Sequence, residues 1–257
     1  MRIEQGRLIL KLAEGDDERR AAQRLRYRVF VEEMGADVDA EGHRLRLERD
    51  RFDPYFDHLL LIDRSIADPM ENVVGVYRLL RSEVAIGGCG FYSASEYDLT
   101  KIEQSGRESV ELGRSCVDRA YRGGAALPLL WQGLADYVLS REIEILFGVA
   151  SFHGRDPLAF SQALSYLYHN HLAPEALRVS ARPDHAQAMD LLPADAVDRP
   201  VALKQVPSLI KAYLRLGGFV GDGAYIDHTF NTVDVCVLMD TARMSEKHRA
   251  HYQKGRK

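Results

Sequence analysis

The run Val110–Glu111–Leu112–Gly113–Arg114–Ser115–Cys116–Val117, continued from Asp118 to Arg122 and then by Gly123–Gly124, constrains the fold more than any other stretch of this chain. It reads as a strand entering a turn, with a glycine pair opening a helix. A helix N-terminus presents unpaired backbone N–H groups and the positive end of a dipole to an anion. An acid, Glu111, and a base, Arg114, stand one strand-turn upstream. The arrangement is a plan for moving a group from a carrier gripped by its phosphate, with Arg122, Gly123 and Gly124 as the donor-phosphate residues.

Acyl transfer to an amine sets the roles. The amine must lose a proton as it attacks, and a carboxylate assists that step directly or through water. Glu111 is the candidate base. The thioester oxygen needs donors as it becomes an oxyanion, and backbone N–H groups of a splayed strand supply them. Arg114 and the helix near Gly124 hold the carrier. Positions 111 and 114 fall on opposite faces of a regular strand. They reach one site only across a bulge, for which Gly113 is suited. The alternative is a structural Glu–Arg pair at a strand end.

Around this segment the pattern alternates. Leu8 to Leu12 reads as a strand, and Asp16 or Asp17 caps a helix to about Met34, ended by Gly35. Ala36 to Arg51 is polar and irregular. His58 to Ile62 and Val73 to Leu80 read as strands, and Gly87–Gly88 breaks the chain before Phe91 and Tyr92. Ala125 to Leu139 has helical periodicity, and Ile143 to Ala150 suits a fully buried central strand. Asp156–Pro157 starts a helix to about His169. Val206 to Leu216 is a helix closed by Gly217–Gly218, and Phe219 to Ile226 and Val233 to Met239 close the sheet. The expectation is an α/β fold with a central mixed, twisted sheet flanked by helices, in one domain over 1–245, followed by a basic tail at 246–257.

A net charge of −4 argues against a nucleic-acid partner. No apolar run approaches the roughly 18 residues of a membrane span, and Leu8–Leu10 is too short for a signal-peptide core. A cytoplasmic protein is expected. Cys89, Cys116 and Cys236 lack metal-ligand spacing, so no metal is expected; Cys116 stands near the site without a histidine in sequence to activate it. The pairs His58/Asp63 and His185/Asp190 match an H-x4-D pattern by chance, because the spacing sets each pair off-face.

Tyr121–Arg122–Gly123–Gly124–Ala125–Ala126–Leu127 resembles the pyrophosphate loop of the GNAT acyl-CoA transferases, Q/R-x-x-G-x-G/A. It departs at Ala125 and Leu127, and a bulky Leu127 crowds a pyrophosphate. A carrier with a single phosphodiester, the 4′-phosphopantetheine of an acyl carrier protein, is therefore preferred, with no permanently bound cofactor. Arg26–Tyr27–Arg28–Val29–Phe30, Asp50–Arg51–Phe52–Asp53, Gly75–Val76–Tyr77–Arg78–Leu79 and Glu111–Leu112–Gly113–Arg114 resemble, in order, four motifs of the acyl-homoserine-lactone synthases: R-x-x-V-F, D-x-F-D, G-x-x-R-L and E-x-S-R. Gly113 departs from the last.

Ser151 to Pro157, Leu209 to Gly217 and Asp227 to Val235 extend the resemblance to the ornithine Nα-acyltransferases of ornithine-lipid synthesis, over nearly the whole chain except its tail. That resemblance implies a GNAT-like fold, a 3-hydroxyacyl-acyl-carrier-protein donor, L-ornithine as acceptor and lyso-ornithine lipid as product. Arg26, Phe30, Asp50 and Asp53 would form the donor and acceptor region, and Arg78, Glu111 and Arg114 the reaction centre. Arg78 would pair with the ornithine carboxylate, and an acid such as Asp50, Asp53 or Asp227 would read the side-chain ammonium. Arginines on the first helix suit an acidic carrier protein. The tail, with Lys247, Arg249, Lys254, Arg256 and Lys257, suits peripheral contact with the inner face of the membrane, at about 1 kcal/mol per nearby charge. The alternatives are a signal synthase that takes S-adenosylmethionine, and a non-catalytic acyl-binding or membrane-active protein.

Overall fold

Leu59, Leu60 and Leu61 are consecutive and all fully buried, so the strand that carries them is covered on both faces. Leu60 meets Ala21, Ala22, Leu25 and Val29 of the first helix. Leu59 and Leu61 meet Leu129, Leu130 and Leu134 of a second helix on the opposite face. A sheet between two helical layers follows from this alternation.

The computed structural model describes residues 1–243; the basic tail at 246–257 lies outside them. In chain order the sheet strands are β1 (Arg2–Gln5), β2 (Leu8–Leu12), β3 (Asp57–Asp63), β4 (Val73–Arg81), β5 (Ser109–Val117), β6 (Ile145–His153), β7 (Ala186–Gln187), β8 (Phe219–Val220), β9 (Ala224–Asp227) and β10 (Thr232–Asp240). They form a sheet of order β1-β2-β3-β4-β5-β6-β10-β9-β7, with β8 on β10. The expected strand at 219–226 is thus split in two, around Gly221 and Gly223.

The helices that matter here are α1 (Asp16–Arg26), α2 (Ala40–Leu45), α3 (Ala126–Ser140), α4 (Ser161–His171), α5 (Arg199–Gln205) and α6 (Ser208–Arg215). Gly15, not an aspartate, occupies the cap position of α1, and Asp16, Asp17 and Glu18 fill its first turn, where the dipole favours acids. Beyond Arg26 the helix widens into π turns over Tyr27–Glu33. The segment expected to be irregular contains α2, capped by Asp39 on the N–H of Gly42 at 2.6 Å. Asp156 does cap, but on a 3₁₀ turn that precedes α4. Among the described residues no helix is long and apolar enough to cross a membrane.

One strand pair sets the site. All pairings along the main order are antiparallel except β5–β6, which is parallel and runs only from Ser109/Ile145 to Glu111/Phe147. Past that point β5 stays paired to β4 and β6 to β10, so the two strands splay apart. The splay opens at Gly148, where an added Cβ would sit 2.1 Å from the Leu112 carbonyl oxygen.

Candidate active site

The splay opens into a cavity of about 470 Å³. Glu111, Gly113, Arg114 and Ser115 line it from β5, and Gly148, Val149 and Ser151 from β6. Arg78, Tyr92, Phe230, Asp227 and Asp234 line it further round. Beyond Glu111/Phe147 the facing backbone edges of the two strands have no ladder between them.

A bulge brings Glu111 and Arg114 to one cavity. Arg78 pairs with Gly113 and Val76 with Cys116, so β5 holds one more residue than β4 across this interval. The left-handed residue is Arg114 itself, with φ of 49°, rather than the glycine beside it. This backbone turns the Arg114 guanidinium toward Glu48 at 3.1 Å and Asp50 at 3.4 Å. The guanidinium lies 4.7 Å from the Tyr92 ring centre and 4.3 Å from that of Phe230. Both rings thereby gain a cation–π contact.

Glu111 is 1% exposed. Its Oε2 accepts the Tyr92 N–H at 2.8 Å and its Oε1 accepts the Ser93 N–H at 2.6 Å. Burial pushes its pKa up, against the pull of these two amides. The segment that supplies them, after the Gly87–Gly88 break, packs its Phe91 on Phe147 with ring centres 5.0 Å apart. Glu111 is therefore a buried, doubly anchored carboxylate in the cavity wall.

Arg26, Asp50, Asp53 and Arg78 are brought together with Glu48 and Arg114 in one network. Arg26 is fully buried, pairs with Glu48, and makes two parallel bonds to Asp53 at 2.6 and 3.0 Å. Arg78 Nη1 reaches Asp50 and Asp53, each at 2.8 Å. Burial would raise the Glu48 carboxyl, but Arg26, Arg114 and Arg78 hold it down to about 2. Asp53 is held well below the carboxylate range against the same desolvation. Asp50 and Asp53 thus face guanidinium groups of the protein itself. The Nε and Nη2 atoms of Arg78 are different: both are buried without a hydrogen-bond partner. They lie beside Gly113, 3.9 Å from where its Cβ would stand, with Phe56 stacked on the guanidinium at 4.4 Å.

Phe30 lines the cavity and meets Phe230 edge-on at 6.1 Å. Asp227 also lines it, with Oδ1 accepting the N–H groups of Thr229 and Phe230 at 2.7 and 3.0 Å. Arg122, also in the cavity lining, pairs with Glu33 at 2.9 Å and donates to the Val117 carbonyl at 2.9 Å. Gly123 takes φ of 79°, which favours glycine, and α3 opens at Ala126 with no side-chain cap. Gly124 is exposed beside it. Leu127 stands in this first turn, 44% exposed, at the cavity rim.

Of the arginines on the first helix, Arg24 pairs with Glu71, and Arg28 pairs with Glu71 and Asp118. Cys116 is buried, and its thiol is pushed up to about 12, which keeps it protonated rather than nucleophilic. His58 is buried on the Asp53 carbonyl at 3.0 Å and Asp63 bonds Ser65, so that pair forms no dyad.

Three residues of the site went unremarked in the sequence: Glu48, Glu96 and Asp234. Glu48 sits in a stretch crowded with charges. Asp234 had a signal, because a lone acid interrupts the valine-rich run from Thr232 to Val237. Glu96 had none.

Residues 25–132 match the acetyltransferase (GNAT) domain family. The chain is 57% identical over 244 residues to an L-ornithine N(alpha)-acyltransferase of Rhodobacter capsulatus, covering 95% of this chain and 93% of that protein. It is 44% identical over 250 residues to the L-ornithine N(alpha)-acyltransferase of Brucella abortus, covering 96% and 89%. In structure it is similar to an N-acyl amino acid synthase from uncultured soil microbes, with a TM-score of 0.54, 13% identity and 92% of each chain covered. That likeness is one of fold alone, and with the family match it makes the sheet GNAT-like.

Proposed function

Because the chain belongs to the L-ornithine N(alpha)-acyltransferase family, we propose that it moves a 3-hydroxyacyl group from an acyl carrier protein to the α-amine of L-ornithine, giving lyso-ornithine lipid. The observation that carries the reading is the Nε–Nη2 edge of Arg78, buried in the wall of the cavity and without a partner. Such an edge matches a carboxylate through two parallel N–H···O bonds. An amino-acid acceptor supplies that carboxylate, with its α-amine attached to the adjacent carbon.

The transfer is direct. The amine nitrogen attacks the thioester carbonyl carbon, a C–N bond forms, and the C–S bond breaks. The amine proton passes to Glu111, directly or through water, and from there to the departing thiolate, so the carrier leaves as a thiol and Glu111 is restored. Burial makes Glu111 a better base than an exposed carboxylate. The unladdered edges of β5 and β6 offer backbone donors to the developing oxyanion. The protonated Cys116 offers no covalent route.

The donor end supports a carrier protein. Arg122, Gly123 and Gly124 lead into the uncapped start of α3, which suits a phosphate. Leu127 at the rim narrows the space for a pyrophosphate. The single phosphodiester of 4′-phosphopantetheine needs less room. A second, apolar cavity of about 330 Å³ shares Trp131, Leu146 and Met239 with the first and suits the acyl chain. The product is a single-chain amphiphile, and the basic tail would hold the enzyme at the inner face of the membrane.

The test is thiol release by purified protein with 3-hydroxyacyl-acyl-carrier-protein and L-ornithine, S-adenosylmethionine, lysine or no acceptor. Ornithine-dependent release with a lyso-lipid of the expected mass is the expected result. Release only with S-adenosylmethionine would overturn it in favour of a signal synthase.

A further inference from the structure

Three carboxylates meet in the cavity. Glu96, Asp227 and Asp234 each place an oxygen within 4.8 Å of the other two. Glu96 and Asp234 are 4% and 3% exposed, and Glu96 Oε2 and Asp234 Oδ1 have no hydrogen-bond partner. Buried polar atoms left without partners are costly, and buried like charges more so. Burial, with the neighbouring acids, pushes Glu96 well above the carboxylate range, and burial pushes Asp234 up to about 6.

The contrast with the Arg26 network is informative. There each acid faces a guanidinium of the protein. Here no ion pair satisfies Glu96 or Asp234 among the described residues. A second observation stands apart from the acids: the Arg78 edge in the same cavity is a pair of buried donors with no acceptor. One cavity therefore holds donors lacking an anion and acceptors lacking a cation. A zwitterion with a second positive charge complements both.

We propose that Glu96, Asp227 and Asp234 bind the side-chain ammonium of a diamino-acid acceptor, while Arg78 holds its carboxylate, and that these acids set the preference for such an acceptor over neutral amino acids. The inference rests on the ornithine reading above. An ammonium carries three N–H donors, one for each carboxylate. Calcium or magnesium would ask for six or more oxygens around it. The three acids come from separate elements, the 3₁₀ turn after Tyr92 and strands β9 and β10, so the fold gathers them rather than the local sequence.

The experiment measures kcat/KM for L-ornithine and for L-norvaline, which is ornithine without its side-chain amine. The full chain is compared with Glu96→Gln and Asp234→Asn, each checked by thermal melting. The ornithine-to-norvaline ratio is expected to fall roughly ten- to hundredfold, mostly through KM for ornithine, with norvaline turnover little changed. Both substitutions are isosteric and relieve buried charge, so both variants should melt no lower than the parent. Equal losses with both acceptors would overturn the proposal in favour of a structural role. Turnover abolished by EDTA and restored by magnesium would overturn it in favour of a metal site. Failure of the ornithine reading itself would show in the parent, as no ornithine-dependent release. Failure of this inference shows in the variants, as an unchanged ratio.

Discussion

Arg26 and Asp53 meet in the interior through two parallel hydrogen bonds, Nη1 to Oδ1 at 2.6 Å and Nη2 to Oδ2 at 3.0 Å. Arg26 has no exposed surface and Asp53 is 2% exposed. Removing one partner leaves the other charged and buried, which costs about 3–5 kcal/mol. Asp53→Ala should therefore lower the urea midpoint sharply, and Arg26→Ala likewise. A midpoint within error of the parent would show the pair to be solvated in solution.

The same network sets an acid limit. Glu48 is held down to about 2 and Asp53 lower still, both below their unfolded values near 4. Depressed carboxyls contribute stability above the unfolded pKa and lose it as pH falls through the folded one. Stability should hold down to about pH 4 and fall steeply from there toward pH 2. Circular dichroism against pH checks this, and Glu48→Gln should flatten the acid limb.

Much of the fold was legible, and for identifiable reasons. The apolar run at Ile143–Ala150 has only one place to go in a mixed sheet, and it lies between β5 and β10. The bulge followed from the parity of 111 and 114, although the left-handed backbone fell on Arg114 rather than on Gly113. Arg26, Asp50, Asp53 and Arg78 were picked out by motif, but their mutual pairing was not, because the partners join across long loops. Glu96 was silent because nothing local distinguishes a buried acid from a solvated one. Helix α5 was not expected, because its seven residues, with Pro200 in the first turn, give too short a stretch for periodicity to show, and α6 starts at Ser208, after Pro207, rather than at Val206.

Glu111 changes how its own test must be made. Gln keeps the shape but replaces one acceptor oxygen with an amide that opposes a backbone N–H of Tyr92 or Ser93. Glu111→Gln should therefore lose about 1–3 kcal/mol of stability as well as turnover. Single-turnover rates at a temperature where the variant stays folded separate the two effects. A drop of roughly 10²–10⁴ is expected for a lost general base. An unchanged rate at neutral pH would remove Glu111 from that role.

Gly148 holds the splay at its hinge. An alanine Cβ there would stand 2.1 Å from the Leu112 carbonyl oxygen, which is backbone and cannot rotate away. The strands must shift at the point where the cavity opens. Gly148→Ala should lower both melting temperature and turnover, the second through kcat as the oxyanion donors move. Native turnover in a folded Gly148→Ala protein would argue that the edges of β5 and β6 do not touch the reacting carbonyl.

The apolar cavity beyond Trp131 makes a prediction about chain length. Leu134, Ala135, Val138, Leu139 and Leu216 line it, and it shares Trp131, Leu146 and Met239 with the wall of the reaction cavity. Each acyl methylene buried there contributes about 0.8 kcal/mol, close to fourfold in kcat/KM. Ala135→Phe projects a ring from α3 into that space without disturbing the ion network or the splay. It should lower kcat/KM for long-chain donors roughly tenfold or more, since two methylenes displaced already amount to about 1.6 kcal/mol. Short-chain donors, which end before the cavity, should be unaffected, so the preferred length moves down. The measurement is a series of 3-hydroxyacyl carrier-protein thioesters of graded length against the parent and the variant, with ornithine saturating. A uniform loss at every length would place the acyl chain elsewhere.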